Sequence, residues 1–307
     1  MPSRSPGSVL VAGGTGLVGW TLVQALLAQG SKVAILTRSP QALGALPAGA
    51  SAHGWEALPD LLDGAEVIIN LAGEGIADRR WSDARKAAIL DSRIMATSRL
   101  VGAMRQCSQP PAALVNASAI GYYIPKDAAL VEEGAAPGSG FLAEVCQAWE
   151  AEATAATALG VRVARIRIGV VLAREGGALP KMALPVRFFS GCKLGSGKQG
   201  LSWIHLDDLV AMLMEAARNP AWEGAFNGTA PEPLSNEAFT RLLAEQLHRP
   251  ILPVPGFLTS LATRLLLGEM AEALLLQGAY VLPTHALALG FQFHFPTAES
   301  ALKDLLQ

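Results

Sequence analysis

The chain has 307 residues, 51% hydrophobic and 16% charged, with a formal net charge of −2. That is ample material for a large core, and it excludes a disordered or collagen-like chain. The near-balanced charge, with no Lys/Arg-rich run, excludes a general binder of nucleic acid or anionic membrane.

A mean hydropathy of +0.33 makes membrane spans worth testing. The most apolar stretch, 258–276, is interrupted by Arg264, Glu269 and Glu272, so it reads as a buried or interface helix and no membrane partner is expected. For the whole apolar tail, 258–282, burial within the same chain is preferred over packing on another subunit. The first eight residues contain no apolar segment of signal-peptide length. Cys107, Cys146 and Cys192 are widely separated, with no Cys-x-x-Cys pair. They suit a reducing cytoplasm and suggest neither a disulfide framework nor a metal site.

In chain order, Ser8–Ala12 is a short β-branched run of the buried-strand type. The glycine-rich segment Gly13-Gly-Thr-Gly-Leu-Val-Gly19 follows, then apolar residues at helical spacing (Leu22, Val23, Leu26, Leu27) as far as Gly30. Lys32–Thr37 is a second strand, completing a βαβ unit. Further strands are expected at Glu66–Leu71, Ala113–Ala117 and Val161–Ile168, with helices at Trp81–Arg105 and Leu142–Leu159. This alternation predicts an α/β fold with a doubly wound parallel sheet and ligands at the carboxyl ends of its strands. From Gly176 the pattern loosens, and Pro250, Pro253 and Pro255 punctuate the approach to apolar helices. The expected division is a nucleotide-binding domain at 1–175 and a smaller C-terminal α/β substrate lobe at 176–307. Its tail occupies about 250–307, and later segments are expected to cross back.

The glycine segment contains Gly13-x-x-Gly16-x-x-Gly19 and Gly14-x-Gly16-x-x-Gly19. Glycine permits a positive φ in the turn, clears the approach of a pyrophosphate, and lets helix and strand pack closely. The helix that follows offers unpaired N–H groups to that anion. Gly13, Thr15, Gly16, Leu17, Val18 and Gly19 are therefore the candidate contacts. At the end of the second strand stand Thr37 and Arg38, where an NAD-binding chain carries an acid for the ribose 2′-hydroxyl. A cation there suits the 2′-phosphate of NADP(H), which makes NADP(H) the expected cofactor.

Four segments carry a resemblance: the glycine loop, Asn70-Leu-Ala-Gly73, Ser118–Tyr123, and Trp203-Ile-His-Leu-Asp-Asp208. With them the chain resembles the extended short-chain dehydrogenase/reductases, in the nucleotide-sugar-epimerase-like (Rossmann) branch. Asn70–Ile76, Arg80-Trp81, Ser92-Arg93, Gly121–Tyr123, Gly195–Gly197 and the tail Gly290–Pro296 narrow it to an "epimerase family" subgroup with an extra C-terminal domain. Some members of that subgroup carry the label of SulA-like cell-division inhibitors. The resemblance implies that Leu71, Ala72 and Gly73 pass beside the adenine ribose and phosphates, and that Arg93 and Val171 help to hold the cofactor.

It also implies a tyrosine and lysine four residues apart on the helix after Gly140, with a serine or threonine that bonds the substrate oxygen. Ser118 matches the last of these. Phe141 and Val145 stand where the tyrosine and lysine belong, and neither can move a proton. Tyr122 and Tyr123 are the substitute acid candidates, with Lys126 or Arg80 as a supporting cation, against the alternative that one packs and the other lines the pocket. Glu144 is a further candidate donor if it faces the nicotinamide. His205, Asp207 and Asp208 read as architectural in this family.

The leading expectation is an NADP(H)-binding, epimerase-like oxidoreductase with a non-standard proton donor, acting on a small carbonyl or hydroxyl compound. The alternative is a catalytically silent NADP(H)-binding regulator with a protein partner, linked to cell division. A substrate-binding scaffold is a third reading. The chain is expected to be a monomer or homodimer.

Overall fold

Strands buried on both faces of a parallel sheet are built from continuous apolar runs, and β1 (Ser8–Ala12) is one, with four of its five residues buried. The computed structural model of the protein describes residues 7–123 and 129–307. β1 pairs in parallel with β2 (Lys32–Leu36) on one side and β4 (Val67–Asn70) on the other. β3 (Ala50–His53) extends the sheet beyond β2, and β5 (Ala113–Ala119) extends it beyond β4. After the two-residue strand β6 (Leu130–Val131), which lies outside the main sheet, the chain returns in β7 (Arg162–Ile168) beside β5. The last member is β11 (Gly224–Gly228), giving a seven-stranded order β11-β7-β5-β4-β1-β2-β3.

The chain moves outward from β1 to β2 and β3, then crosses back to β4. The carboxyl ends of β1 and β4 therefore flank a switch point, the place where open parallel sheets form a ligand crevice. Helices α1 (Leu17–Ala28) and α6 (Leu206–Arg218) cover one face, with Leu22, Leu26, Leu209 and Leu213 in the core. α2 (Leu58–Leu62), α3 (Asp83–Met104) and α4 (Phe141–Thr154) cover the other through Leu58, Leu100, Met104 and Ala153. Ser82 starts α3 by accepting the Arg85 N–H, which satisfies one of the first-turn donors.

A second, smaller lobe has its own core. β8 (Val170–Leu172) pairs with β10 (Trp203–His205), and β9 (Gly200–Leu201) pairs with β12 (Leu234–Ser235). α5 (Leu179–Arg187), α7 (Asn236–Gln246) and α11 (Ala298–Leu306) pack together through Leu179, Phe239, Leu243 and Leu302. Between them the tail contributes α8 (Gly256–Leu267), the single turn α9 (Glu269–Ala271), β13 (Tyr280–Val281) paired with β6, and α10 (Thr284–Ala288).

The sheet differs from the sequence reading at both edges. β7 does not close it: β11, from beyond residue 175, pairs with β7, so the two lobes share chain. At the other edge stands β3, Ala-Ser-Ala-His. Both edge strands lack the β-branched run that marks an interior strand, because one side of each needs no neighbour. The preferred burial of the apolar tail holds for Met270, Ala271, Ala279 and Val281, which are buried, but not for the outer face of α8. On α8, Phe257, Leu261 and Leu265 repeat every fourth residue along an outward face and are 70%, 54% and 70% exposed, while Thr259 is the buried residue of that helix. No helix among the described residues is long and apolar enough to cross a membrane.

His205 and Asp208 join the lobes. His205 Nδ1 accepts the Asp207 N–H at the start of α6, and its ring stacks on Phe295 with centroids 3.9 Å apart. The buried Asp208 carboxylate accepts the backbone N–H groups of His294 and Phe295 at 2.7 and 3.0 Å. These residues fasten the tail to the sheet, and among the described residues no cluster of His, Cys, Asp and Glu could hold a metal ion.

Candidate functional site

The crevice at the switch point is walled by two loops. Gly13 has a φ of +80°, and a Cβ there would lie 2.7 Å from the Leu71 carbonyl carbon. The loops after β1 and β4 can touch only because this residue has no side chain. A Cβ on Gly19 would lie 2.2 Å from the Gly13 carbonyl oxygen, so α1 can pack against its own entry loop only with glycine there. Thr15 and Gly16 are exposed at the crevice mouth, and Leu17 and Val18 are half-buried behind them. The N-cap of α1 is Gly16, with no side-chain cap and no acidic residue in the first turn. Its first-turn N–H groups and the positive end of its dipole therefore have neither a side-chain cap nor a first-turn acid to satisfy them, which fits a pyrophosphate.

Leu71, Ala72 and Gly73 run alongside. The Leu71 N–H bonds to the Ala12 carbonyl at 2.9 Å, and the Ala72 N–H to Asn70 Oδ1 at 3.2 Å. Asn70 is buried and also donates to Thr97 and Asn116, so the loop rests on a fixed polar base. From the opposite lobe, Val171 in β8 accepts the Ala178 N–H, and the turn at Gly176 lies against the Leu17 side chain. The structure thus brings the residues expected at the pyrophosphate into one crevice.

At the far end, Thr37 donates its N–H to the His53 carbonyl, and its hydroxyl accepts the Ser39 N–H. Arg38 projects into solvent with its side chain 83% exposed and pairs with Glu74 at 2.9 Å. Arg85 holds the other Glu74 carboxylate oxygen at 3.1 Å. The hydrogen bonds from Arg38 and Arg85 hold the Glu74 carboxyl below the usual carboxylate range, so it is an anion at neutral pH. Arg93, half-buried on α3, donates to the Glu74 carbonyl at 3.0 Å and lies over the Trp149 ring. Burial lowers its pKa from the ordinary arginine value.

The candidate catalytic residues fall into a different environment. Ser118 is buried and donates to Glu150 Oε1 at 2.7 Å. Glu150, buried on α4, is gripped by Arg167 of β7 through Nε–Oε1 at 2.7 Å and Nη2–Oε2 at 2.8 Å. Arg167 also donates to the Tyr123 hydroxyl, which donates in turn to Asn227 Oδ1 at 3.0 Å. Burial opposes the Arg167 charge, but Glu150 and Tyr123 outweigh it and raise its pKa. Burial also raises the Tyr123 pKa, against the opposing pull of Arg167. Tyr123 is thus a packed member of an ion-pair network. Tyr122 is half-buried with its ring 3.5 Å from the Arg167 guanidinium, and its hydroxyl makes no hydrogen bond to the described residues.

At the start of α4, Phe141 meets Trp81 edge-on at 5.0 Å and Val145 is buried. Glu144 is exposed. Arg80 lies against Gly268 in the tail, and Lys126 falls outside the described residues.

Comparison with known proteins agrees with this geometry. The profile of the NAD dependent epimerase/dehydratase family matches residues 9–227, well over half the chain. The chain belongs to that family. Residues 254–305 match a further domain, of unknown function (DUF1731), as the extended, subgroup-specific resemblance requires. Among family members, the chain is 40% identical to the chloroplastic epimerase family protein SDR39U1 homolog of Arabidopsis thaliana, over 98% of this chain and 87% of that one. It is 38% identical to an epimerase family protein of Staphylococcus aureus, over 97% and 98%. The crystal structure of human epimerase family protein SDR39U1 with NADPH superposes with a TM-score of 0.86 at 34% identity, covering 97% of this chain and 98% of that one.

Three members of the site escaped the sequence reading. Arg167 could have been suspected, since it is one of three arginines in the strand Arg162–Ile168, and a charge that such a strand buries must find a partner. Glu150 and Glu74 gave no comparable signal. One is a single acid on a helix of ordinary composition, and the other is a loop residue whose partner lies 36 positions away.

Proposed function

We propose that this protein binds NADP(H) in the crevice between the β1 and β4 loops and acts as an epimerase-like oxidoreductase on a small hydroxyl or carbonyl compound. The observation that carries the cofactor reading is the uncapped N-terminus of α1 above a glycine cradle, with Arg38 at the end of β2. Gly13–Gly19 would take the pyrophosphate, Leu71–Gly73 would border the ribose, and Arg38 would meet the 2′-phosphate. The human relative bound to NADPH supports the same choice. When bound, the nicotinamide supplies two-electron chemistry.

The chain's own residues limit how a proton could move. Ser118 has committed its proton to Glu150 and keeps only lone pairs for a ligand, so it suits a substrate hydroxyl as donor. Tyr123 is held by Arg167 and Asn227, which leaves Tyr122 as the tyrosine at this end of β5 whose hydroxyl is uncommitted among the described residues. Tyr122 is therefore the proposed proton donor. The substrate would lie under the second lobe, and three separate free thiols suit a cytoplasmic setting.

The test is titration calorimetry with NADPH and NADH, followed by a reduction assay across a carbonyl panel. The reading predicts a preference for NADPH that Arg38→Ala removes, and turnover that Tyr122→Phe lowers at unchanged NADPH affinity. Equal affinity for the two dinucleotides, untouched by Arg38→Ala, would sink the cofactor assignment. Phe141 and Val145 favour the second reading, a silent NADP(H)-dependent regulator. Its signature is tight NADPH binding with no oxidation of any panel member and a pulled-down partner that changes with NADPH.

A further inference from the structure

An acid is missing from the end of β2, but the fold returns one to the same place. Glu74, four residues beyond the end of β4, sets its carboxylate 2.9 Å from the Arg38 guanidinium. A cation and an anion thus face the same end of the crevice. The two nicotinamide dinucleotides differ only there, one carrying a ribose 2′-hydroxyl and the other a 2′-phosphate. A hydroxyl can donate to a carboxylate, whereas a phosphate needs a cation and is repelled by a carboxylate.

We infer that Glu74 sets how strongly this protein prefers NADPH over NADH, competing with the 2′-phosphate for Arg38 and accepting the 2′-hydroxyl of NADH. The inference rests on the proposed cofactor site and deepens it.

The geometry around Glu74 shows why it cannot simply swing away when a phosphate arrives. Its N–H donates to Ser92 Oγ at 3.0 Å, its carbonyl accepts from Arg93 at 3.0 Å, and Arg85 holds the second carboxylate oxygen. The loop is pinned at both backbone groups and at the carboxylate. Arg85 is only 15% exposed and also donates to the Gly75 carbonyl, so it belongs to the loop and is not available to a ligand in place of Arg38. An incoming phosphate therefore takes Arg38 from Glu74 while the carboxylate stays close, neutralised in part by Arg85. The result is a preference for NADPH that is held below what Arg38 alone would give. The Arg38–Glu74 pair is exposed, and such pairs contribute little to stability, so its removal should alter binding without unfolding the chain.

The experiment compares wild type with Glu74→Gln, which keeps the size and the backbone bonds but removes the charge. Dissociation constants are measured by calorimetry for NADPH, NADH, 2′,5′-ADP and 5′-ADP on the full-length protein, after thermal melting shows that both fold. The expected result is NADPH and 2′,5′-ADP binding about two- to fivefold tighter in Glu74→Gln, the scale of one exposed charge. NADH and 5′-ADP should be unchanged or weaker, so the NADPH/NADH preference widens in both ligand pairs. A preference that stays the same or narrows overturns the inference. If Arg38→Ala abolishes the wild-type preference while Glu74→Gln leaves it alone, only the role of Glu74 falls. If wild type binds neither dinucleotide, or Arg38→Ala changes nothing, the cofactor reading falls and takes this inference with it.

Discussion

Arg167 on β7 and Glu150 on α4 form a two-pronged, fully buried ion pair directly behind Ser118. Two charges taken out of water this way are tolerable only as a pair, because each satisfies the other, Ser118 donates to Glu150, and Arg167 Nη1 donates to the Tyr123 hydroxyl and the Glu133 carbonyl. Removing one member strands the other. Glu150→Ala should cost about 3–5 kcal/mol of unfolding free energy. Replacing both, Glu150→Leu with Arg167→Met, should recover much of that loss, since neither buried charge is then left alone and Arg165, which also reaches Glu150 at 3.5 Å, is partly exposed to water. Urea denaturation of the three proteins checks this, and a double replacement no more stable than Glu150→Ala would show that the pair is not an isolated unit.

Gly19 and the Gly13 carbonyl define how closely α1 approaches β1. A methyl group on Gly19 would sit 2.2 Å from that oxygen, inside any tolerable contact. Gly19→Ala must therefore push the helix N-terminus away from the loop and misplace its N–H groups. The expected outcome is a lower melting temperature together with at least about a tenfold loss of NADPH affinity, in line with the cost of displacing charge-assisted hydrogen bonds at a helix terminus. Gly16→Ala is the contrast. Its nearest neighbour is 3.7 Å away, so the fold should survive and only the approach of the ligand should suffer.

What could be seen beforehand and what could not divide along a physical line. The βαβ unit, the glycine loop and Arg38 are local: strand, turn and helix follow one another within about thirty residues, and each leaves its own pattern. The interior strands β4, β5 and β7 were legible for the same reason, as strand-length segments rich in apolar residues, even with the three arginines of β7. β11 was not, because three of the five residues of Gly224-Ala-Phe-Asn-Gly228 are glycine or asparagine, and it becomes a strand only by pairing with Ile166 and its neighbours. The partners of Ser118 and Tyr123 come from positions 32 and 104 residues away, and no spacing rule reaches that far. The missing proton pair could be read from Phe141 and Val145 alone. What stands behind Ser118 in its place needed the packing of α4 on β5 and β7.

The network around Tyr123 predicts a specific response to alkali. Burial raises its pKa above the ordinary 10.0, so the folded chain keeps the phenolic proton at pH values where the unfolded chain releases it. The stability tied to this group is fully present below about pH 10 and is lost as pH rises through the higher folded value. Tyr123→Phe should remove that part of the alkaline slope. At neutral pH the variant should be weaker by about 1–2 kcal/mol, the cost of losing the bonds to Arg167 and Asn227. Chemical denaturation midpoints for both proteins between pH 7 and about pH 11 measure both effects. Parallel slopes would mean that other groups carry the alkaline response.

Cys146 lies one helical turn before Glu150 and donates its S–H to the Ala119 carbonyl at 3.6 Å. Burial pushes its thiol up to about 11, so at pH 7–8 almost none of it is thiolate, the reactive form. It is also closed off from solvent at 3% exposure. Iodoacetamide should therefore leave Cys146 unmodified in the native protein and alkylate it fully in urea, read by mass spectrometry of the tryptic peptide. Glu150→Ala provides the sharper comparison. If the Arg167–Glu150 pair holds α4 against β5, its loss should raise the labelling rate of Cys146 in parallel with the fall in stability. The half-buried Cys107 and Cys192 serve as internal references. Fast labelling of Cys146 in the native wild type would mean that α4 opens far more readily than its contacts imply.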